Sequence, residues 1–356
     1  MSEVFAGGLE GVVAAETVLS DVDGERGRLV IRGVALEDLA DRGFEAAAAL
    51  LWEGVVAEGL DAGRVGTLLG EARLAMFADI GRWLPPARTQ AVPEGLRLAL
   101  AAIPDASPPA QVAASLPVVL AALMRARRGL APVAPDPRLT TAADFLRMLR
   151  GEPAEPRESA ALDVYLATVI DHGLNASTFA ARVVASTRAS LAATVTAAYC
   201  ALTGPLHGGA PGPVLDTLDA IGSLERIEPW LEQALEKGER LMGFGHRIYR
   251  VRDPRAEALK KVLLRLDPGV GRLAFAQEVE RRALAVLKRR KPQRALDTNV
   301  EFYTALLLDA LSLPRETFVS VFALSRIAGW IAHAFEQRAT GRLIRPASRY
   351  VGPIAA

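Results

Sequence analysis

Hydrophobic positions recur at helical spacing along nearly the whole chain, and one stretch near the N-terminus departs from that rule. In residues 16–34, ETVLSDVDGERGRLVIRGV, the runs Thr17-Val18-Leu19 and Leu29-Val30-Ile31 flank Asp23-Gly24, a turn signal. This pattern predicts a small hairpin or paired extended arm. Helical periodicity then takes over at 36–42, 44–54 and 65–80. Pro85-Pro86 should break it before a helix at 95–103, and Pro108-Pro109 closes the next loop. Residues 112–128 are strongly apolar and end in Arg-Ala-Arg-Arg, which suits a helix C-terminus. Thr141 with Asp144 resembles a capping box. Residues 159–202 form the longest helix-compatible stretch, and further helices are expected at 214–218, 227–235, 256–266, 273–288, 296–311 and 317–335. The fold class is mainly α with one small N-terminal β element.

Composition narrows the class. Alanine and leucine dominate, and 356 residues suffice for two domains or one with an insertion. The formal net charge is +1, which points to neither nucleic acid nor a membrane surface. The one cysteine, Cys200, lies in AAYCAL and is expected to be buried; it allows no internal disulfide, which fits a reducing compartment. The N-terminus lacks a basic n-region, and no uninterrupted apolar run approaches a bilayer span. A cytoplasmic location is expected.

Three of the four histidines sit in distinctive surroundings. LMGFGHRIYRVRDPR places His246 directly after Gly243 and Gly245, which open the backbone to close approach by a ligand. Arg247, Arg250, Arg252 and Arg255 follow, the last behind Pro254 and an Asp253 cap. A hydrogen-bonding imidazole among guanidinium groups suits a small polycarboxylate whose carbonyl is to be polarised; a surface turn before a basic helix is the plainer reading. His207, in LTGPLHGGAPGP, lies in a glycine turn and suits donation to a developing enolate oxygen, or simply turns the chain. His172, in DHGLNASTFAARV, is surrounded by Asp171, Asn175, Ser177 and Thr178, and a partly exposed interhelical loop explains it equally well. His333 reads as packing or surface. Glu301, behind Asn299 in LDTNVEFYTAL, is the best candidate base, with Asp297 as fallback; both also suit a helix start. Arg326 lies in apolar FALSRIAGW, where a guanidinium needs a carboxylate, and Arg345 in RLIRPASRY is held extended before Pro346 or belongs to a basic tail. The run KRRKPQR at 288–294 reads as a solvated helix end. No histidine pair has metal-ligand spacing, and Walker, GxSxG and dinucleotide motifs are absent.

As a set, GLEGVVAAETVLSDVDGERGRLVIRG, DHGLNASTFAARV, GPLHGGAPGPVLDTL, LMGFGHRIYRVRDPRA, TNVEFY, FALSRIAGWIAH and RLIRPASRYVGP resemble the citrate synthase family, in the family's order and over most of the chain. The length resembles the short form of bacteria and archaea. The resemblance implies a helical homodimer with a large domain in two parts, 1–208 and 316–356, and a mobile small domain at 209–315. It implies condensation of acetyl-CoA with oxaloacetate and hydrolysis of citryl-CoA to citrate and CoA, with no metal or tightly bound cofactor and coenzyme A entering as the acyl-bearing substrate. By the same resemblance His207 binds the thioester carbonyl, His246 polarises the oxaloacetate ketone, and His172, Arg255, Arg326 and Arg345 bind carboxylates, Arg345 in the partner's site. Asn299 and Gly243 to Gly245 fall where the family approaches CoA. Glu301 stands where the family usually has aspartate, a displacement of roughly 1 Å for the carboxylate, and Pro-Gly-Pro follows His207 where relatives commonly have Asn-Glu. The implied alternatives are 2-methylcitrate synthase, using propionyl-CoA, and a weakly active acyl-CoA or dicarboxylate sensor.

Overall fold

The structure is a computed structural model that describes residues 7–9, 11–208, 211–266 and 272–353. Its sheet is antiparallel, β1 (Ser20–Asp23), β2 (Arg28–Ile31) and β3 (Val34–Ala35), with Ser20 opposite Ile31 and Asp23 opposite Arg28. The first strand begins three residues later than the apolar run Thr17-Val18-Leu19, because the Thr17 hydroxyl and the Val18 N–H both donate to Glu336.

Helices α1 (Leu36–Ala40) and α2 (Phe44–Trp52) lead into α3 (Ala62–Ala78), α4 (Ile80–Ala87), α5 (Val92–Ala101) and α6 (Pro109–Arg127). Then come α7 (Thr141–Arg150), α8 (Pro156–Thr168), α9 (Ala176–Ser186) and α10 (Leu191–Leu202). Next are α11 (Pro211–Ile221), α12 (Ile227–Glu236), α13 (Pro254–Leu266), α14 (Arg272–Arg290) and α15 (Val300–Ala310). The last is α16 (Phe318–Thr340), followed by a tail without regular structure. The fold is mainly helical, as the periodicity indicates.

Two helices form the centre. α6 is buried continuously from Val112 to Met124, and most of α16 is buried from Phe318 to Gln337. Helices apolar on every face belong inside a core. By length and composition Pro109–Arg127 and Arg315–Thr340 are long and apolar enough to cross a membrane, yet 72% and 83% of their most apolar 18-residue stretches are buried inside the protein. Polar residues, Arg326 and His333 among them, interrupt the apolar run of the longer stretch. α16 packs against α2, α6, α9 and α10, while α13 bridges α8 and α15. Trp52 Nε1 donates to the Ala328 carbonyl at 3.0 Å, fastening α2 to α16.

Local expectations need four corrections. Pro85 and Pro86 lie inside α4, and the helix ends at Ala87, within a turn of them. The cap of α7 is Thr140, whose hydroxyl accepts from the Ala143 N–H, while Thr141 and Asp144 are taken up by Arg73 at 3.1 and 2.8 Å. Cys200 is exposed on α10, because the apolar context that surrounds it in sequence lies on the helix's other faces. The stretch 159–202 is broken twice, between α8 and α9 and between α9 and α10. Residue 209, the expected start of the small domain, lies outside the described residues; the other boundary falls in the short turn Arg315–Thr317.

Candidate active site

The first break is the loop that carries His172. Its backbone is drawn onto α16, where Arg326 Nε donates to the Val169 carbonyl at 2.8 Å. A β-carbon on Gly329 would lie 2.5 Å from the Ile170 carbonyl oxygen, so only glycine permits this approach. Asp171 is fully buried and accepts from the Ser20 hydroxyl at 2.5 Å. Its other oxygen lies 3.2 Å from His333 Nε2. Arg182 Nη1 donates to His333 Nδ1 at 2.8 Å, which assigns the His333 proton to Nε2 and makes it the donor to Asp171. Burial raises the Asp171 pKa, but His333, Arg326 and Ser20 outweigh it and hold the carboxyl below its usual range. His172 itself is buried, against the alternative reading of a partly exposed loop.

The Gly243–Gly245 segment forms the second wall. It runs antiparallel to residues 297–299: Phe244 pairs with Thr298, Gly245 N–H donates to Asp297, and Asn299 N–H donates to Gly243. Both glycines have positive φ, and β-carbons there would press on Phe302 at 2.9 Å and Leu296 at 2.8 Å. The protein, rather than open space for a ligand, therefore fills the room beside them. Asn299 caps α15 through Glu301 N–H and donates its own amide to the Gly245 carbonyl at 2.8 Å. Asp253 accepts from Arg255 Nε and Nη2 at 3.0 and 2.8 Å and also from the Arg255 N–H, the expected cap behind Pro254.

Three imidazoles result, all neutral and two with defined tautomers. His246 Nδ1 accepts from the N–H groups of Ile248 and Tyr249 at 3.0 and 3.1 Å, so its proton sits on Nε2. Arg255 Nη2 stands 3.4 Å from that Nε2; two shorter donations decide the tautomer against a bond there. Burial and then the Arg255 charge push His246 down to about 4. His207 Nε2 receives the Ser177 N–H at 3.3 Å and lies 2.9 Å from the Ser177 hydroxyl, which leaves the proton on Nδ1. Burial and Arg326 push His207 down to about 4 as well. His172 Nε2 is 3.1 Å from the Tyr249 hydroxyl, and burial, Arg255 and His246 keep its pKa well below the usual value. The rings of His172 and His246 are 5.4 Å apart, edge to face.

Two charges complete the cluster. Arg326 is 1% exposed, and its Nη2 has no hydrogen-bond partner among the described residues. Burial draws its pKa down to about 10 against the pull of Asp171. A buried guanidinium with an unmatched donor is a receptor for an anion. Glu301 is half-buried on the first turn of α15, and burial pushes it up to about 7, with Arg255 opposing and Asp253 assisting. Among the described residues no cluster of three or more His, Cys, Asp or Glu is arranged to hold a metal ion.

Residues 8–347 match the family model described as citrate synthase, C-terminal domain. The chain belongs to the citrate synthase family. It is accordingly an enzyme, an acyltransferase of the condensing type. It is 39% identical to a putative citrate synthase 2 of Mycobacterium tuberculosis, over 99% of this chain and 94% of that one. With a citrate synthase of Haloferax volcanii the identity is 37%, over 99% and 97%. The crystal structure of citrate synthase from Thermotoga maritima matches with a TM-score of 0.89 and 32% identity, over 99% and 97%. A ternary complex of carboxymethyl coenzyme A and oxaloacetate with citrate synthase from Thermoplasma acidophilum matches at 0.87 and 26%, over 100% and 98%.

In this citrate synthase family member, His172, His246, Arg255 and Arg326 form one charged neighbourhood, each sensing others in it, and His207 and Glu301 sense Arg326 and Arg255 respectively. Arg345 stands apart, exposed on the tail, which is tied to α9 by Ile344 N–H on the Ser186 hydroxyl. Sequence reasoning missed Tyr249, which packs between His172 and His246, and the Arg182–Glu336 ion pair beneath His333. A tyrosine three residues after His246 was a usable signal; the ion pair spans 154 residues and had none.

Proposed function

We propose that the protein is a citrate synthase, condensing acetyl-CoA with oxaloacetate and hydrolysing citryl-CoA to citrate and CoA. The observation that carries this reading is the pair of neutral histidines with opposite tautomers beside a buried, unmatched Arg326. The Glu301 carboxylate removes a methyl proton of acetyl-CoA while Nδ1–H of His207 donates to the thioester oxygen. A carbon acid this weak needs that donor, since stabilising the developing oxyanion lowers the barrier most. The resulting enol carbon attacks the ketone carbon of oxaloacetate, whose oxygen receives the Nε2–H of His246. Neutral donors suit both tasks, because each stays protonated at one nitrogen across the physiological range. A base with a pKa near 7 is matched to its working pH. Arg255, Arg326 and His172 hold the dicarboxylate, joined by Arg345 from the partner of a homodimer. Gly243, Gly245 and Asn299 set the shape of the CoA-facing turn, and residues 209–315 act as the mobile small domain. Coenzyme A is substrate, no tightly bound cofactor or metal is required, and the enzyme works in the cytoplasm without nucleic acid or membrane.

The test is thiol release by the purified protein with oxaloacetate and either acetyl-CoA or propionyl-CoA. Faster turnover with acetyl-CoA supports the assignment. Preference for propionyl-CoA transfers it to 2-methylcitrate formation, a difference that one methylene sets at about 1–3 kcal/mol. Release with neither refutes both.

A further inference from the structure

A cavity of about 330 Å³ opens at the far end of α16, between the starts of α6 and α10. Arg338 on α16 and Arg188 in the α9–α10 loop line it, together with Ser107, Ser190, Leu191 and Phe335. Arg326 and Arg338 are twelve residues apart on one helix, so the cavity lies roughly 18 Å from the candidate catalytic cluster at 1.5 Å per residue. The two arginines are close enough that, after burial, the Arg188 charge depresses the Arg338 pKa. Neither arginine makes an ion pair among the described residues. Arg338 Nη2 donates only to the Ala189 carbonyl at 2.6 Å, and its Nε is buried without a partner. Arg188 has φ +63°, a backbone region where glycine would cost less, yet the position carries a guanidinium. Two like charges held together with no ion-pair partner are repulsive until an anion joins them. Guanidinium forks and serine hydroxyls match the several oxygens of a phosphate, while Leu191 and Phe335 offer an apolar wall.

We infer that this cavity binds a phosphate group carried on a small organic molecule, Arg188 and Arg338 pairing with the phosphate and Leu191 and Phe335 packing against the apolar part. This site is independent of the catalytic reading. Asp105 also lines the cavity and opposes an anion by like charge. Its removal therefore tightens binding.

The experiment is isothermal titration of the full-length protein, at constant ionic strength, with inorganic phosphate and with phenyl phosphate. One saturable site is expected, with phenyl phosphate bound several-fold more tightly than inorganic phosphate. Arg188→Gln and Arg338→Gln should each weaken both ligands at least tenfold with circular dichroism unchanged, and Asp105→Asn should strengthen them. Arg188 is exposed, so its variant keeps the fold and isolates the ligand effect. No saturable binding, or binding that survives both arginine variants and disappears in Arg326→Gln, would overturn the site. Equal affinity for the two ligands would overturn the organic part of the assignment.

Discussion

At the scale of single residues, the unusual group is Glu301. Its pKa of about 7 means that the working carboxylate is only partly formed at neutral pH. With Glu301 as base, kcat/KM for acetyl-CoA should rise with pH and level off above an apparent pKa near 7 in the free enzyme. His207 and His246, both near 4, should contribute no break above pH 5. A pH–rate profile checks this, and Glu301→Gln should abolish turnover while leaving oxaloacetate binding intact. Arg326→Gln tests the other end of the cluster. Removing a desolvated guanidinium from an anion should cost roughly 2–5 kcal/mol of affinity, read as a rise in the oxaloacetate KM. Most of these residues were legible in the sequence because glycine turns and apolar runs make histidines and arginines conspicuous. Tyr249 was less so, since its hydroxyl and ring meet His172, 77 residues away in sequence.

At the scale of elements, periodicity located the helices but not their seams. Residues 159–202 keep a helical pattern through the loop that carries His172; Gly173 at φ +58°, the Asn175 cap of α9 and tertiary contacts at Val169, Ile170 and Asp171 together open it. The joint of α2 and α8 shows a similar tertiary effect. Asp163 of α8 accepts the Phe44 N–H at the start of α2, and a β-carbon on Gly43, at φ +85°, would collide with its carboxylate. Burial, with the Glu45 charge, pushes Asp163 up to about 6. A raised carboxyl pKa destabilises the folded state as pH climbs from the unfolded value through 6, and the cost is full above that. Asp163→Asn retains an oxygen acceptor for Phe44 and should raise stability by up to about 3 kcal/mol above pH 7, with no gain below pH 4. Denaturant melts at the two pH values measure it.

For the whole molecule, the tail is the part that one chain leaves unfinished. Leu343, Tyr350 and Val351 are exposed along it, and Arg345 meets none of the residues it is proposed to join. If Arg345 completes the partner's site, Arg345→Gln and His246→Gln should each be nearly inactive alone. Refolded together, they should recover about a quarter of wild-type activity, because half of random dimers are mixed and each mixed dimer holds one intact site. No recovery would mean that each chain completes its own site.

Cys200, the chain's single thiol, sits on the outside of α10. Any chromogenic disulfide reagent used to follow released CoA will therefore also titrate the enzyme, giving a burst of one equivalent per subunit that is independent of substrate. Substituting Cys200→Ser should erase that burst and leave the steady-state slope untouched. The same exposure makes the position a stoichiometric handle for a single fluorophore, placed without first removing any other sulfhydryl.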